Sequence, residues 1–300
     1  MNHTDRRTFL MGSAGVLLLS ACGSESASKG PSKAGPLSIS AIPDQDPELL
    51  NRLYPAVAER FSTATGLKVT YRPTTDYTAV VRAFEIGDIQ MAWMGGLTGV
   101  QARERVPGAK AIAQRDIDAD FHSLFIANKS SGLSSFDDAA GLRELAGKTL
   151  TFGSETSTSG RLMPQYFMKE GGLKTSELKG SPGFSGSHDA TIEAVAKGSF
   201  EVGAVNEQVW NKTKEAGEVD LSDVEVLWRT PGYADYHWLA RPDVASGTVS
   251  KVKELLFSLD VADPKDAEIL TLFGAKSFIP TKNSNYDVIE NIARELDLLA

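Results

Sequence analysis

The sequence predicts an α/β protein built from two lobes. Short apolar runs typical of buried strands alternate with amphipathic helical patterns, which indicates parallel sheets joined by crossover helices. The chain of 300 residues is long enough for two separate cores. Extended segments near 118–128 and 231–241 carry no helical pattern at their midpoints, so we predict that they form a two-strand hinge. This places lobe 1 at 37–120 and 234–300, and lobe 2 at 121–233.

The first 22 residues have the organisation of an export signal. Arg6 and Arg7 precede an apolar core from Phe9 to Leu19, which is shorter than the roughly 20 residues of a membrane-spanning helix. The arginine pair resembles a twin-arginine signal, and Leu19 to Cys22 resembles a bacterial lipobox. We therefore predict that Cys22, the only cysteine, carries a lipid anchor, and that the protein is exported to the periplasm or the outer face of the cell membrane.

Residues 23–36 are predicted to form a flexible tether between this anchor and the folded body. The segment GSESASKGPSKAGP is rich in Ser, Gly, Lys and Pro, and it has almost no apolar side chain to bury. Such a composition cannot offset the entropy lost on folding.

Lobe 1 is predicted from four strand-like runs with helical patterns between them. The strands are LSISAI from 37, LKVTYRP from 67, IQMAWMG from 89 and AKAIAQR from 109; the helices lie at 47–64, 77–86 and 97–105. Pro55 falls inside the first helical pattern. Because proline has no N–H and clashes with the preceding turn, we expect that helix to start at Tyr54 or to be kinked.

Lobe 2 repeats the alternation, and the tail then returns to lobe 1. The predicted strands are HSLFIAN from 122, KTLTFGS from 148, SPGFSGS from 181, FEVGAVN from 200 and VEVLWR from 224, with helices from about 159, 188 and 207. After YADYHWLARP from 233, the tail has helical patterns at 247–258, 264–273 and 285–299.

Composition and motifs exclude several function classes. The formal net charge of −8 argues against a nucleic-acid partner, although a local field in a cleft can still attract a small anion. G-x-S-x-G, H-E-x-x-H and P-loop motifs do not occur in the sequence, and its four histidines are scattered. We therefore expect no catalytic residue, no metal and no cofactor. We also expect the protein to be a monomer. A serine of the 157–159 run paired with His188 leaves a hydrolase as the alternative.

Several motifs resemble a known family. SETSTSGR, PGFSGSHDATIEAVAKGSFEVGAVNEQVW and PDQDPE together resemble the phosphate/phosphite/phosphonate-binding family of ABC transporter components. MGGLTGVQAR, QRDIDADFHSLFIANKSSG and FGSETSTSGRLMPQYF are similar to its subgroup predicted to bind selenate. The resemblance implies a type II periplasmic binding fold that closes on a small oxyanion and delivers it to a permease with its ATPase. A lipid-anchored sensor would share every one of these features.

A hydroxyl-rich run in lobe 2 is the first candidate site. Ser157, Thr158 and Ser159 stand at a strand-to-helix junction, where free N–H groups and the helix dipole accommodate an oxyanion. Gly160 removes a Cβ that would hold the anion away. The resemblance implies that this run binds the ligand, together with His188 of the GSHDA motif, which donates when neutral and adds charge when protonated. The alternative is a helix N-cap with additional serines.

Lobe 1 offers an aromatic wall and a glycine pair. Tyr77 stands at a predicted helix start and corresponds to a binding tyrosine of the family. Gly95 and Gly96 allow the backbone to approach a ligand closely. Trp93 either lines the site or belongs to the core.

Proton acceptors are expected at the end of a strand and on the return crossover. Asn206 and Glu207 follow a predicted strand at the sheet edge where α/β proteins present ligand groups. Asp235 matches a position at which phosphonate binders accept ligand protons, whereas Glu207 could equally be a surface carboxylate. An ionised Asp235 would repel selenate and favour hydrogen phosphite, hydrogen phosphate or aminoalkyl phosphonates, so both ligand classes stay open. His122 and His237 are expected to be structural.

Overall fold

A computed structural model describes residues 36–299 of the chain. The predicted signal, most of the tether and Cys22 lie outside these residues. Among residues 36–299, no helix is both long and apolar enough to cross a bilayer. In the same range, no group of three or more His, Cys, Asp or Glu side chains is arranged to hold a metal ion.

Lobe 1 is built on a six-stranded sheet with the order β11-β4-β10-β3-β1-β2. β1 pairs in parallel with β2 and β3, whereas β10 lies antiparallel between β3 and β4 and β11 pairs antiparallel with β4. The strands are β1 (Leu37–Ala41), β2 (Val69–Tyr71), β3 (Met91–Met94), β4 (Lys110–Arg115), β10 (His237–Ala240) and β11 (Phe278–Ile279). The helices are α1 (Pro47–Thr65), α2 (Tyr77–Ile86), α3 (Gly96–Arg105), α7 (Ser246–Ser258), α8 (Pro264–Phe273) and α9 (Asp287–Glu295).

Lobe 2 is built on a five-stranded sheet with the order β7-β6-β8-β5-β9. Alternate residues of β5 enter two separate apolar clusters, so the sheet is buried on both faces. The strands are β5 (Ser123–Asn128), β6 (Leu150–Phe152), β7 (Gly183–Phe184), β8 (Val202–Asn206) and β9 (Val224–Arg229). The helices are α4 (Met163–Glu170), α5 (His188–Ala196) and α6 (Glu207–Ala216).

Two segments connect the sheets, and they run side by side. The outgoing segment, 116–122, begins with the 3-10 turn Asp116–Ala119, and the returning segment covers 230–236. Phe121 and Tyr233 exchange both backbone hydrogen bonds, at N···O distances of 2.8 and 3.0 Å. The α/β fold with two sheets, predicted from the sequence, is confirmed.

Helix α1 differs from its prediction. It begins at Pro47 behind the N-cap Asp46, whose carboxylate accepts the N–H groups of Glu48 and Leu49, and it continues through Pro55. The predicted start at Tyr54 is therefore wrong. Pro55 lies on the exposed face, where water can reach the carbonyl that it frees, so the cost of an internal proline is reduced.

Candidate functional site

The serine-rich run of lobe 2 forms the first turn of a helix. Thr158–Leu162 is a single π-helical turn that continues directly into α4. Ser157 is its N-cap, and its hydroxyl accepts the N–H of Gly160 at 2.9 Å. The N–H groups of Thr158 and Ser159 begin the helix, where no preceding turn supplies an acceptor. The run is therefore both a cap and a place where donors converge.

Gly160 is required for a reason that the sequence did not show. A Cβ at this position would lie 2.9 Å from the Ser157 hydroxyl and 3.0 Å from Cε1 of His188. The glycine lets the helix approach His188 closely. These distances show that packing within lobe 2 requires a glycine here.

His188 is a neutral hydrogen-bond donor. Its side chain is fully buried, which lowers its pKa to about 3. Nδ1 accepts the backbone N–H of Asn206 at 3.3 Å, so the single ring proton lies on Nε2. Nε2 is 3.4 Å from both the Ser159 hydroxyl and the Tyr236 hydroxyl. A protonated Nε2 cannot take a proton from a serine, which argues against the hydrolase alternative.

Lobe 1 contacts lobe 2 closely at the glycine pair Gly95 and Gly96. Gly95 caps α3 without a side chain, and a Cβ there would lie 3.1 Å from Oγ1 of Thr158 and 3.2 Å from Oδ1 of Asp235. Leu97 donates its N–H across the cleft to Oγ1 of Thr158 at 3.0 Å. Gly96 donates its N–H to Oδ1 of Asp235 at 2.9 Å. The first turn of α3 is thus one wall of the cleft.

Tyr77 closes the same cleft from the start of α2. Its ring is buried, and burial raises the pKa of its hydroxyl well above 10. A hydrogen bond with Ser157 of lobe 2 opposes this shift. The tyrosine is therefore a neutral group at the point where the lobes meet.

Asp235 presents a carboxylate to this point. It is 1% exposed, and burial raises its pKa to about 7, against hydrogen bonds from the Gly96 N–H and the Thr158 side chain. Among the described residues, none donates a hydrogen bond to its buried Oδ2. One oxygen of Asp235 is thus held by the Gly96 N–H, and the other has no hydrogen-bond partner among the described residues.

The other predicted residues have different roles. Asn206 is buried; its Oδ1 caps α6 by accepting the Val209 N–H, and its Nδ2 donates to the Tyr236 hydroxyl at 3.2 Å. Glu207 instead forms a bidentate ion pair with Arg229, at 2.6 and 2.9 Å. That pair faces a separate cavity of about 630 Å³, so we leave Glu207 out of the ligand set.

Trp93 lies behind the cleft in an aromatic cluster. Its ring stacks on Tyr236 with centroids 5.9 Å apart and meets Phe273 edge-on at 5.1 Å. The guanidinium of Arg115 lies 4.9 Å from the centroid of the Tyr236 ring and 5.4 Å from that of Trp93. Trp93 therefore supports Tyr236, and Tyr236 is the ring that reaches His188 and Asn206.

The two other histidines of residues 36–299 make structural contacts. His122 bonds through Nδ1 to the Thr230 carbonyl at 2.8 Å. His237 is fully buried with its ring centroid 4.0 Å from that of Tyr286.

Sequence reasoning missed Tyr236, Arg115 and Asp44. Each stands in or beside a stretch that was singled out: Tyr236 follows Asp235, Arg115 ends strand β4, and Asp44 lies in PDQDPE. For Asp44 the available signal was its place just after β1, at the carboxyl end of a parallel strand.

The fold and this cleft define a class: a solute-binding protein whose two lobes meet over a buried polar site. A family model described as the periplasmic substrate-binding protein of an ABC transporter for phosphonate matches residues 39–286. The chain therefore belongs to this family of substrate-binding proteins, which are exported components of ABC transporters and are not enzymes.

Individual relatives agree with the family. The chain is 41% identical over 266 residues to the probable ABC transporter phosphite binding protein PhnD1 of Prochlorococcus marinus, covering 87% of this chain and 90% of that one. It is 24% identical over 299 residues to the phosphate-import protein PhnD of Mycolicibacterium smegmatis, covering 92% of each. The structure of PhnD1 from P. marinus in complex with methylphosphonate matches with a TM-score of 0.86 and 40% identity, over 88% of this chain and 99% of that one.

Proposed function

We propose that the protein captures a small phosphorus oxyanion that carries a proton, such as hydrogen phosphite or hydrogen methylphosphonate. The relatives named for phosphite and for a methylphosphonate complex support this ligand class. The observation that carries the proposal is Asp235: its buried Oδ2 receives no hydrogen bond from the described residues. A ligand P–OH group is a donor that this oxygen can accept.

The ligand set we propose spans both lobes. Lobe 2 supplies the N–H groups of Thr158 and Ser159, the Ser159 hydroxyl and the Nε2–H of His188, and lobe 1 supplies Tyr77 and the 95–96 turn. The returning segment supplies Asp235, and Asn206 and Trp93 hold Tyr236 in place behind them.

Close packing favours a small ligand. A Cβ at Gly95 would already be 3.1 Å from the opposite lobe, and the candidate residues Tyr77, Ser157, Ser159, His188 and Asp235 are each no more than 2% exposed. A sugar or a long alkyl substituent would hold the lobes apart. Phosphite and methylphosphonate add only a hydrogen or a methyl group to the oxyanion.

Selenate, the alternative ligand, conflicts with Asp235. Selenate and sulfate have no proton near neutral pH, so they require Asp235 itself to be protonated. The pKa of Asp235, raised to about 7, makes that form available only in neutral or acidic solution. A hydrogen phosphonate carries its own proton, so it can bind while Asp235 is ionised.

We propose that the two lobes close around the bound ligand. The Leu97 N–H donates to the Thr158 hydroxyl, and the backbone N–H of His188 donates to the Asp44 carbonyl at 3.1 Å. The two lobes therefore hydrogen-bond directly to each other beside the proposed ligand donors. A ligand that bonds to both lobes shifts the population towards this closed form, with segments 116–122 and 230–236 as the hinge.

The closed form would then dock on a permease with its ATPase. We further propose that Cys22, which lies outside the described residues, anchors the protein through lipid, with 23–36 as the tether. A sensor that signals the loaded state would use the same site, and permease and ATPase genes next to this gene would favour transport.

The first test replaces Asp235 by Asn. At pH 7, Asp235→Asn should weaken methylphosphonate binding by about 1 to 3 kcal/mol, because the proton acceptor is lost. Selenate affinity should stay equal or improve. Calorimetry of both ligands measures this, with the wild-type protein as reference.

The pH dependence gives the matched control. In the wild type, selenate affinity should fall up to about tenfold per pH unit above pH 7, as Asp235 loses the proton that selenate needs. The Asn variant should lose this dependence. Selenate that binds tightly to the wild type at every pH, and weakly to the variant, would contradict the proposed role of Asp235.

A further inference from the structure

Asp44 is a second buried acid in the cleft. It lies in the loop after β1 and is 2% exposed. Its backbone carbonyl accepts the N–H of His188 at 3.1 Å, so the first turn of α5 from lobe 2 lies against it. Asp44 therefore occupies the lobe 1 side of the point where His188 enters the cleft.

The carboxylate of Asp44 has a vacant acceptor. None of the described residues donates a hydrogen bond to its buried Oδ1. Burial raises the pKa of Asp44, whereas the Tyr236 hydroxyl and the charge of Arg115 favour its ionised form. The Tyr236 hydroxyl is itself 3.4 Å from Nε2 of His188. The carboxylate is thus connected through Tyr236 to the imidazole donor that the proposed anion would use.

Nearby cations do not satisfy this oxygen. Arg115 attracts Asp44, but its N–H groups donate to Asp118, to the Gln208 side chain and to the Phe273 carbonyl. The Nζ of Lys212 donates to the Leu272 carbonyl at 2.8 Å.

A buried carboxylate without a partner is costly, and its charge repels a ligand that presents only unprotonated oxygen atoms to it. We propose that Asp44 is a specificity-determining residue: when ionised, it adds a second negative charge to the cleft and weakens the binding of anions that carry no proton. The inference rests on the proposed function and extends it from Asp235 to the opposite wall of the cleft. Asp189 of α5, whose Oδ2 is also buried without a partner among residues 36–299, adds to the same field.

Sulfate is a suitable probe because it remains a dianion across the accessible pH range. In the full-length protein at pH 8, Asp44→Asn should bind sulfate about tenfold or more tightly than the wild type, because one like charge is removed. Methylphosphonate, measured at pH 6 where it carries its proton, should change by less than about threefold. A purely structural role would instead weaken both ligands by the same factor.

Asp46→Asn is the matched control. Asp46 is exposed, caps α1 and lies two residues further along the chain, so the same charge is removed outside the cleft. Its sulfate affinity should equal that of the wild type. If Asp44→Asn melts early, Asp44→Ser provides the same test with a shorter polar side chain.

Sulfate affinity that is equal in the wild type and Asp44→Asn, or undetectable in both, would overturn the assignment of Asp44. An equal gain in Asp46→Asn would overturn it too, because it would show a general charge effect. A wild-type protein that binds no methylphosphonate would overturn the proposed function instead, so the two failures are distinguishable.

Discussion

Single hydroxyl groups in the 157–159 run have different partners. The Ser157 hydroxyl accepts the Gly160 N–H and so caps its own helix, whereas the Thr158 hydroxyl accepts an N–H from the other lobe. The Ser159 hydroxyl lies 3.4 Å from His188 Nε2, and both of these groups can turn towards an anion. The structure therefore separates one capping hydroxyl from one that is available to a ligand.

We predict that Ser159→Ala weakens oxyanion binding by about 1 to 3 kcal/mol and leaves the melting temperature unchanged, because only a ligand donor is removed. Ser157→Ala is the control: loss of the cap should lower the free energy of unfolding by about 1 kcal/mol. Titration calorimetry and urea unfolding measure the two effects. Unchanged affinity in Ser159→Ala would leave the run with only a capping role.

At this scale the sequence indicated the residues that follow strands or start helices, and the structure brings Ser157, His188 and Asp235 together. It did not indicate Arg115 or Tyr236. Their positions depend on stacking between distant segments, which has no periodic signature in the chain. Glu207 was a candidate ligand residue because it follows β8. Its side chain instead pairs with Arg229, although the neighbouring Asn206 is buried beside Tyr236.

Helices α6 and α8 make a polar contact between the lobes. The last carbonyls of α8 have no acceptor role within their own helix. Gln208 donates to the Phe273 carbonyl at 3.0 Å, and Lys212 donates to the Leu272 carbonyl at 2.8 Å. Burial lowers the pKa of Lys212 to about 8, so this contact places a partly desolvated cation at the negative end of α8.

We predict that Lys212→Met destabilises the closed form and weakens every ligand by the same factor, about three- to thirtyfold, because the lysine bonds to the other lobe and to no ligand donor. Lys214→Met is the control, since Lys214 lies on the exposed side of α6. Calorimetry with methylphosphonate and phosphite measures the factors. Equal affinities in the two variants would show that the contact has no effect on closure.

Most elements followed from the alternation of apolar runs and helical patterns, because buried strands and amphipathic helices have strong periodicities. The exceptions are short or irregular. β11 has only two residues, Phe278–Ile279, and pairs with β4 through tertiary contact. The π-helical turn at Thr158–Leu162 contains Gly160, whose backbone lies close to His188 of a distant segment.

The whole molecule combines a net negative charge with a proposed anion site. The formal net charge is −8, yet the donors converge where the π-helical turn before α4 meets the first turns of α3 and α5. Buried carboxylates among these donors make the site selective for the protonation state of the ligand as well as for its shape. The sequence predicted two lobes and an oxyanion, and it left the choice between selenate and a proton-bearing ligand open.

The most direct measurement is calorimetry of the protein beginning at Leu37, at pH 7, with phosphite, methylphosphonate, sulfate and selenate. We predict that phosphite and methylphosphonate bind at least about tenfold more tightly than sulfate and selenate, a difference of about 1.4 kcal/mol or more, because Asp235 accepts their proton. If selenate binds more tightly than both phosphorus oxyanions, the cleft does not select a ligand that carries a proton.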